Sequence, residues 1–177
     1  MIIKKIAQSW GPSTWYYLHY LALNYNPELK QNYINLIKFL YKNIPCIICK
    51  NNFGIKLRRF PINKYINNKQ DFFRWTVLLH NDVNKKKYKK VYSIEEAKKI
   101  YINNYDKNKI LNFLKIFYKS NINRNRIVLL KLFNEIINTY PNENVKNKLM
   151  DFKKNCKVKN NKLTQWFYVY FNVIKNN

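Results

Sequence analysis

Residues 71–87 read DFFRWTVLLHNDVNKKK, and their spacing predicts a helix. Phe72, Trp75, Leu79 and Val83 recur at three- and four-residue steps and line one seam. His80, Asn84 and Lys87 fall at i, i+4 and i+7 and form a polar row beside it. A strand, with its period of two, would scatter both sets over two faces. An imidazole, an amide and an ammonium in one row can stack on a base, bond its edge and meet a phosphate, the set that a nucleotide cofactor asks for. A single histidine on a helix face is more often a satisfied structural residue; the row gives this one its functional weight.

Working outward, every segment reads as helix or connection. Upstream, Pro61 to Gln70 is a loose polar stretch, and Pro45 opens a helix that carries Cys46 and Cys49. Asn26-Pro27 ends one helix and begins another, with Asn26 as its N-cap and Tyr33, Ile37, Leu40 and Tyr41 as its buried stripe. Gly11-Pro12 opens the first helix, which runs to about Tyr25 and shares Trp15, Leu18, His19, Ala22 and Leu23 on one face. Downstream, Ser93-Ile94-Glu95-Glu96 is a capping box that starts a fifth helix ending near Asn103-Asn104. Beyond Tyr105 four more helical patterns follow, around Ile110–Phe117, Ile127–Thr139, Asn144–Lys154 and Leu163–Ile174, with no readable motif and no internal repeat.

Composition agrees. Only 2 of the 177 residues are glycine, too few for Gly-rich phosphate loops or a turn-rich sheet, and this points to an all-α chain. Apolar residues make up 47% and aromatics 17%, enough for a packed core. The formal net charge is +25. Coding bias explains the abundance of Lys, Asn, Ile and Tyr but not the scarcity of acids. The charge reads mainly as a solvated basic surface, with an acidic or nucleic-acid partner as the functional alternative. Met1 to Ala7, MIIKKIA, lacks the apolar stretch of a secretory leader, and no run approaches membrane-spanning length, so the expectation is a chain of the cytosol or nucleus.

Pro45-Cys46-Ile47-Ile48-Cys49 carries the sharpest chemistry. A cysteine at a helix N-terminus feels the positive end of the helix dipole, which stabilises its thiolate. A second cysteine three residues on can close a disulfide across one turn and leave the first open to attack, as dithiol exchange requires. The other reading is metal. Structural zinc takes four ligands, and beyond this pair only Cys156, His19 and His80 remain. A thioredoxin-type setting is excluded because helices flank the motif on both sides. On the residues alone, two functions stay open: a dithiol oxidoreductase, and a basic helical nucleic-acid-binding protein with a structural zinc or no metal.

Three motifs in series, WGPSTWYYLH at 10–19, PCIIC at 45–49 and FRWTVLLHNDVN at 73–84, resemble the Erv/ALR family of FAD-linked sulfhydryl oxidases, in the branch of large cytoplasmic DNA viruses. The resemblance covers residues 8–104, a little over half the chain. It implies a four-helix bundle with a short fifth helix binding FAD, over residues 1–104, followed by a helical C-terminal extension over 105–177. It implies a catalytic Cys46–Cys49 pair with Cys49 beside the isoalloxazine ring. It implies Trp10, Gly11, Trp15 and His19 on the flavin and ribityl-phosphate side, and Trp75, His80, Asn81, Val83, Asn84 and Lys87 on the adenosine half, with Lys90 and Tyr101 as weaker contacts. Substrate thiols would be oxidised through Cys46, electrons would pass by Cys49 and FAD to oxygen, and hydrogen peroxide would result. A homodimer, thiol proteins as partners and a cytoplasmic setting (host cytoplasm, viral factory or virion) are further implications.

The chain departs from the family in three places. It has no second CxxC to act as a shuttle; only Cys156 remains, read as a buried free thiol, so a small relay protein with its own CxxC is expected to deliver electrons. The positions of a common structural disulfide are Val77 and Ser93 here. Pro12 follows Gly11 where an arginine is usual. The dense aromatic run Trp166 to Phe171 reads equally as the buried strip of a last helix and as an interface.

Overall fold

The computed structural model describes residues 2–102, 105–121, 126–155 and 163–177, the side chains of 2–9, 126 and 163–166 excepted. All regular structure among them is helical: α1 (Ile2–Leu23), α2 (Lys30–Lys42), α3 (Ile47–Arg59), α4 (Lys69–Lys86), α5 (Ile94–Ile102), α6 (Lys107–Asn121), α7 (Arg126–Thr139), α8 (Glu143–Asn155) and α9 (Leu163–Lys175), with short 3-10 turns at Pro27–Leu29 and Ile62–Lys64.

Local chemistry sets the helix starts. Asn68 caps α4, its side-chain oxygen accepting from the Asp71 N–H at 2.8 Å, and the Asp71 carboxylate sits in the positive first turn. Ser93 and Glu96 form the expected capping box: the Ser93 hydroxyl accepts from the Glu96 N–H at 3.0 Å and the Glu96 carboxylate accepts from the Ser93 N–H at 2.8 Å. Two expectations change. Asn26 does act as a cap, but for the 3-10 turn at Pro27–Leu29 and not for α2. Pro12 does not open α1; the helix runs back to Ile2 with Pro12 inside it. Proline removes one backbone hydrogen bond, and a helix this long absorbs that loss where a short one would stop.

α1 is the central element, packing on α4 and α5 and, from another side, on α6; α2 packs on α3 and α7, and α9 closes over α6 and α8. Tyr25, Tyr33 and Phe72 meet edge to face at 4.9–5.7 Å, joining α2 and α4 to the end of α1. The Tyr25 hydroxyl donates to the Ile66 carbonyl at 2.9 Å and pins the polar stretch after α3. Gly54 brings α3 down onto Tyr41 of α2, where a Cβ would lie 2.8 Å from the ring's hydroxyl.

The change of motif near residue 104 is not a break in the core. Buried residues of α6, α7 and α9 form one cluster with those of α1–α4. Phe113 stacks on Tyr17 at 4.4 Å, and Asn112 donates to the Ser13 hydroxyl at 2.7 Å. Within the aromatic run, Phe167 and Tyr170 are buried and Tyr168 is exposed, while the Trp166 side chain lies outside the described residues. Phe167 stacks on Tyr118 at 3.9 Å, which makes the run chiefly the buried strip of α9. Cys156 also lies outside the described residues.

Phe113→Ala removes the ring that joins α6 to α1 and should cost about 3–5 kcal/mol. Because three of the tryptophans (Trp10, Trp15 and Trp75) sit in the N-terminal half, urea unfolding read by their fluorescence and by far-UV circular dichroism should shift together to lower urea. A shift in the circular dichroism alone would mean that the two halves unfold separately.

Candidate functional site

Cys46 and Cys49 form a disulfide at the start of α3, with their Cα atoms 5.1 Å apart. Cys46 is the N-cap, and its sulfur accepts from the Cys49 N–H at 3.2 Å. A helix N-terminus thus faces the Cys46 sulfur, where a thiolate would be favoured. One expectation is corrected: Cys46 is buried, at 4% exposure, and Cys49 is the half-buried member of the pair. The chain enters α3 through the turn at Asn43–Pro45, and the cap position folds Cys46 inward. The exposed residues here are Ile47 and Ile48.

The disulfide lines a cavity of about 330 Å³ walled chiefly by apolar groups, among them Trp10, Gly11, Trp15, Leu40, Phe53 and Val83. A second cavity of about 450 Å³ is lined by His19, His80, Asn81, Asn84, Lys90, Tyr92 and Tyr101. Between them Trp15, of the first, stacks on His80, of the second, at 4.5 Å with only 5° between the ring planes.

Behind this stack lies a chain of polar contacts. His19 Nε2 is 3.0 Å from His80 Nδ1, His19 Nδ1 is 2.9 Å from the Thr76 hydroxyl, and that hydroxyl donates to the Phe73 carbonyl at 2.7 Å. Burial pushes the His80 imidazole down to about 4, with Lys89 adding to the effect. Burial, and then His80, holds His19 well below its ordinary range. Both rings are therefore neutral at pH 7.

The structure sorts the predicted residues differently from the sequence. Val83 and Lys87, expected on the adenosine half, line the disulfide cavity, and His19, expected on the flavin side, borders the second cavity. Trp75 lines neither: it is fully buried, and its Nε1 donates to the Phe60 carbonyl at 2.8 Å. Asn81 and Asn84 border the second cavity, but their amides are engaged with the protein. Asn81 donates to the Tyr92 carbonyl at 2.7 Å and accepts from its N–H at 3.1 Å, and Asn84 donates to the Lys90 carbonyl at 3.1 Å. They hold the 87–92 segment onto α4. Val77 is buried and Ser93 caps α5, the role each plays in place of a disulfide.

Lys56 was missed. It is 1% exposed, lines the disulfide cavity and is paired with Asp82, which also accepts from Arg59 at 2.9 Å. The hydrogen bond from Lys56 holds the Asp82 carboxyl below its usual range. The signal was present: Cys49, Phe53 and Lys56 follow i, i+4, i+7 on one face of α3. Among the described residues no group of three or more His, Cys, Asp or Glu side chains is placed to hold a metal, and no helix is long and apolar enough to cross a membrane.

Comparison with known proteins follows the motifs. The model of the Erv1 / Alr family matches residues 12–102, which end with α5. Proteins named FAD-linked sulfhydryl oxidase from two African swine fever virus isolates, Pig/Kenya/KEN-50/1950 and Tick/Malawi/Lil 20-1/1983, are each 36% identical over 96 residues, covering 52% of this chain and 79% of the relative. A probable FAD-linked sulfhydryl oxidase of Acanthamoeba polyphaga mimivirus is 30% identical over 95 residues, 51% of this chain and 66% of its own length. No solved structure matches.

The neutral histidines make stability pH-dependent. In the unfolded chain His80 takes up a proton near its ordinary 6.5, but in the folded protein only near 4. Stability present above about pH 6.5 is thus lost as pH falls toward 4, by about 3 kcal/mol from His80 alone. Urea midpoints measured at pH 7.5 and pH 4.5 should show this fall, and His80→Phe should reduce it by about that amount. An equal fall in both proteins would place the linkage elsewhere.

Proposed function

The chain belongs to the Erv1/Alr family, and on that premise we propose that it is a FAD-linked thiol oxidase that turns pairs of protein thiols into disulfides at Cys46–Cys49 and passes the electrons to oxygen, giving hydrogen peroxide. The observation that carries this reading is the placing of that disulfide: it caps a helix and forms part of the wall of a largely apolar cavity, beside the Trp15–His80 stack.

The residues fit a flavin dinucleotide. Such a molecule has a flat ring at each end and two phosphates between. The chain offers two cavities that meet at a stacked aromatic pair, with Lys86 and Lys87 on the rim of one and Lys89 and Lys90 on the rim of the other. Trp10, in the wall of the first, holds a buried Nε1–H without an acceptor. Trp10, Gly11, Trp15, Val83 and Lys87 would hold the isoalloxazine half, and His80, Asn84, Lys90 and Tyr101 the adenosine half. FAD held there would supply the two-electron acceptor that the reduced cysteines need and the means of passing those electrons on to oxygen.

The protein's own part is thiol exchange. An incoming thiolate attacks the Cys46 sulfur; the Cys46–Cys49 bond breaks, and Cys49 leaves as a thiolate. Cys46 is buried, so this attack requires its sulfur to be uncovered, and the exposed Ile47 and Ile48 beside it mark the surface where the substrate arrives. A second substrate thiolate then attacks the substrate sulfur of the mixed disulfide. The substrate disulfide forms, and Cys46 leaves as a thiolate stabilised by the Cys49 N–H. With no second CxxC in the chain, the thiols come directly from a protein substrate or from a small relay protein with its own CxxC. A homodimer and a cytoplasmic setting, in host cytoplasm, viral factory or virion, belong to the same proposal.

The purified protein should show an oxidised-flavin absorption band that bleaches with dithiol under anaerobic conditions and returns with air. Cys49→Ser should keep the flavin and lose peroxide production by about three orders of magnitude or more. A featureless spectrum with no uptake of added FAD, or normal peroxide output from Cys49→Ser, would overturn the reading.

A further inference from the structure

Thr76 is a fully buried hydroxyl, one turn ahead of His80 on α4. Its one proton has two neighbours within bonding distance, the Phe73 carbonyl at 2.7 Å and His19 Nδ1 at 2.9 Å. The carbonyl can only accept, so the hydroxyl donates to it and offers His19 a lone pair. His19 must then carry its proton on Nδ1, which leaves Nε2 bare. His19 Nε2 faces His80 Nδ1 at 3.0 Å, so His80 must carry its proton on Nδ1 and leave its own Nε2 bare. The direction of every bond follows from the first. His80 Nε2 has no partner among the described residues, and His80 borders the second cavity with Lys89, Lys90 and Tyr101. In a cavity supplied with ammonium donors, it is a neutral acceptor.

We propose that Thr76 is a positioning residue for the bound nucleotide: through His19 it fixes the proton of His80 on Nδ1, so that His80 presents a bare Nε2 to the second cavity and accepts a hydrogen bond from a donor group of the ligand. This rests on the cofactor reading above and adds the chemistry of one contact. The donor is an exocyclic amine or a sugar hydroxyl; a ligand with only acceptors at that place is rejected, because two lone pairs then face each other. Thr76→Val keeps the shape and removes the hydroxyl. A proton left on His19 Nδ1 would then be an orphaned buried donor. Moving it to Nε2 removes the orphan, and His19 then donates to His80 Nδ1. The His80 proton is driven to Nε2, and the acceptor becomes a donor.

The test reads the rings directly. The chain has 2 histidines, so long-range ¹H–¹⁵N spectra of the histidine-labelled protein are assigned with a single substitution at one of them. In the wild type and in Thr76→Ser both rings should carry Nδ1–H; in Thr76→Val both should switch to Nε2–H. FAD should bind Thr76→Val about tenfold more weakly, the loss of one ordinary hydrogen bond, and Thr76→Ser within about twofold of wild type. A hypoxanthine analogue of FAD separates the donors: a further loss with it in the wild type assigns the adenine amine, and unchanged binding assigns a sugar hydroxyl. Nε2–H on His80 in the wild type, unchanged tautomers in Thr76→Val, or equal FAD affinity of Thr76→Val and wild type would each overturn the proposal. A protein that takes up no flavin overturns the cofactor reading and with it the ligand contact, while the spectra still report whether Thr76 sets the tautomers.

Discussion

Trp15 and His80 lie flat against each other, 4.5 Å apart and nearly parallel, and both the bundle and the site depend on this contact. Trp15 comes from α1 and His80 from α4, two helices that pack closely in the bundle. The register between them places one ring in the wall of the disulfide cavity and the other in the wall of its neighbour. A one-residue rotation of either helix turns its ring by about 100° and separates the pair. Much of the surrounding structure serves to prevent that rotation. His19 is tied to α4 at two points, Tyr17 is buried against Phe113, and Ser13 is bonded to Asn112. The last two anchors come from α6. Among the described residues, the C-terminal helices therefore act on the site through α1 without lining either of its cavities.

Helix periodicity made the elements readable, since a core-facing stripe repeats every three or four residues whatever it packs against. The same property limits what could be read about the site. The row His80, Asn84, Lys87 shows which residues share a strip of α4, but not what lies opposite each. Opposite Asn84 lies the Lys90 carbonyl, and opposite Asn81 the backbone of Tyr92, protein contacts that the row itself does not show. Trp75 turned inward for the same kind of reason: the carbonyl that accepts from its Nε1 belongs to Phe60, in another element. Lys56 escaped because a buried lysine needs a partner, and its acid is 26 residues away on α4. Pro12 was read as a start signal on local grounds, though a long helix tolerates it.

The asparagines that bond to the backbone after α4 explain where the basic charge is placed. Lys85, Lys86, Lys87, Lys89 and Lys90 surround Tyr88, which is 99% exposed and sits at the positive φ of 53°. Five like charges in six positions repel one another, and such a segment has no tendency of its own to hold a turn. Asn81 and Asn84 clamp it with three hydrogen bonds to the backbone of Lys90 and Tyr92. Held so, the segment carries Lys86 and Lys87 along the rim of one cavity and Lys89 and Lys90 along the other. Four ammonium groups shared between two cavities suit the proposed ligand, whose rings are at its ends and whose charge is in its middle. A net charge of +25 spread over the surface steers any polyanion weakly and is screened within about 10 Å at ordinary ionic strength. The clamped lysines differ because the backbone beneath them is fixed by side chains of α4, next to the histidine that the Thr76 hydroxyl orients. Charge, acceptor and stacked ring are thereby carried on one helix and its following turn, so that whatever positions α4 positions all three together.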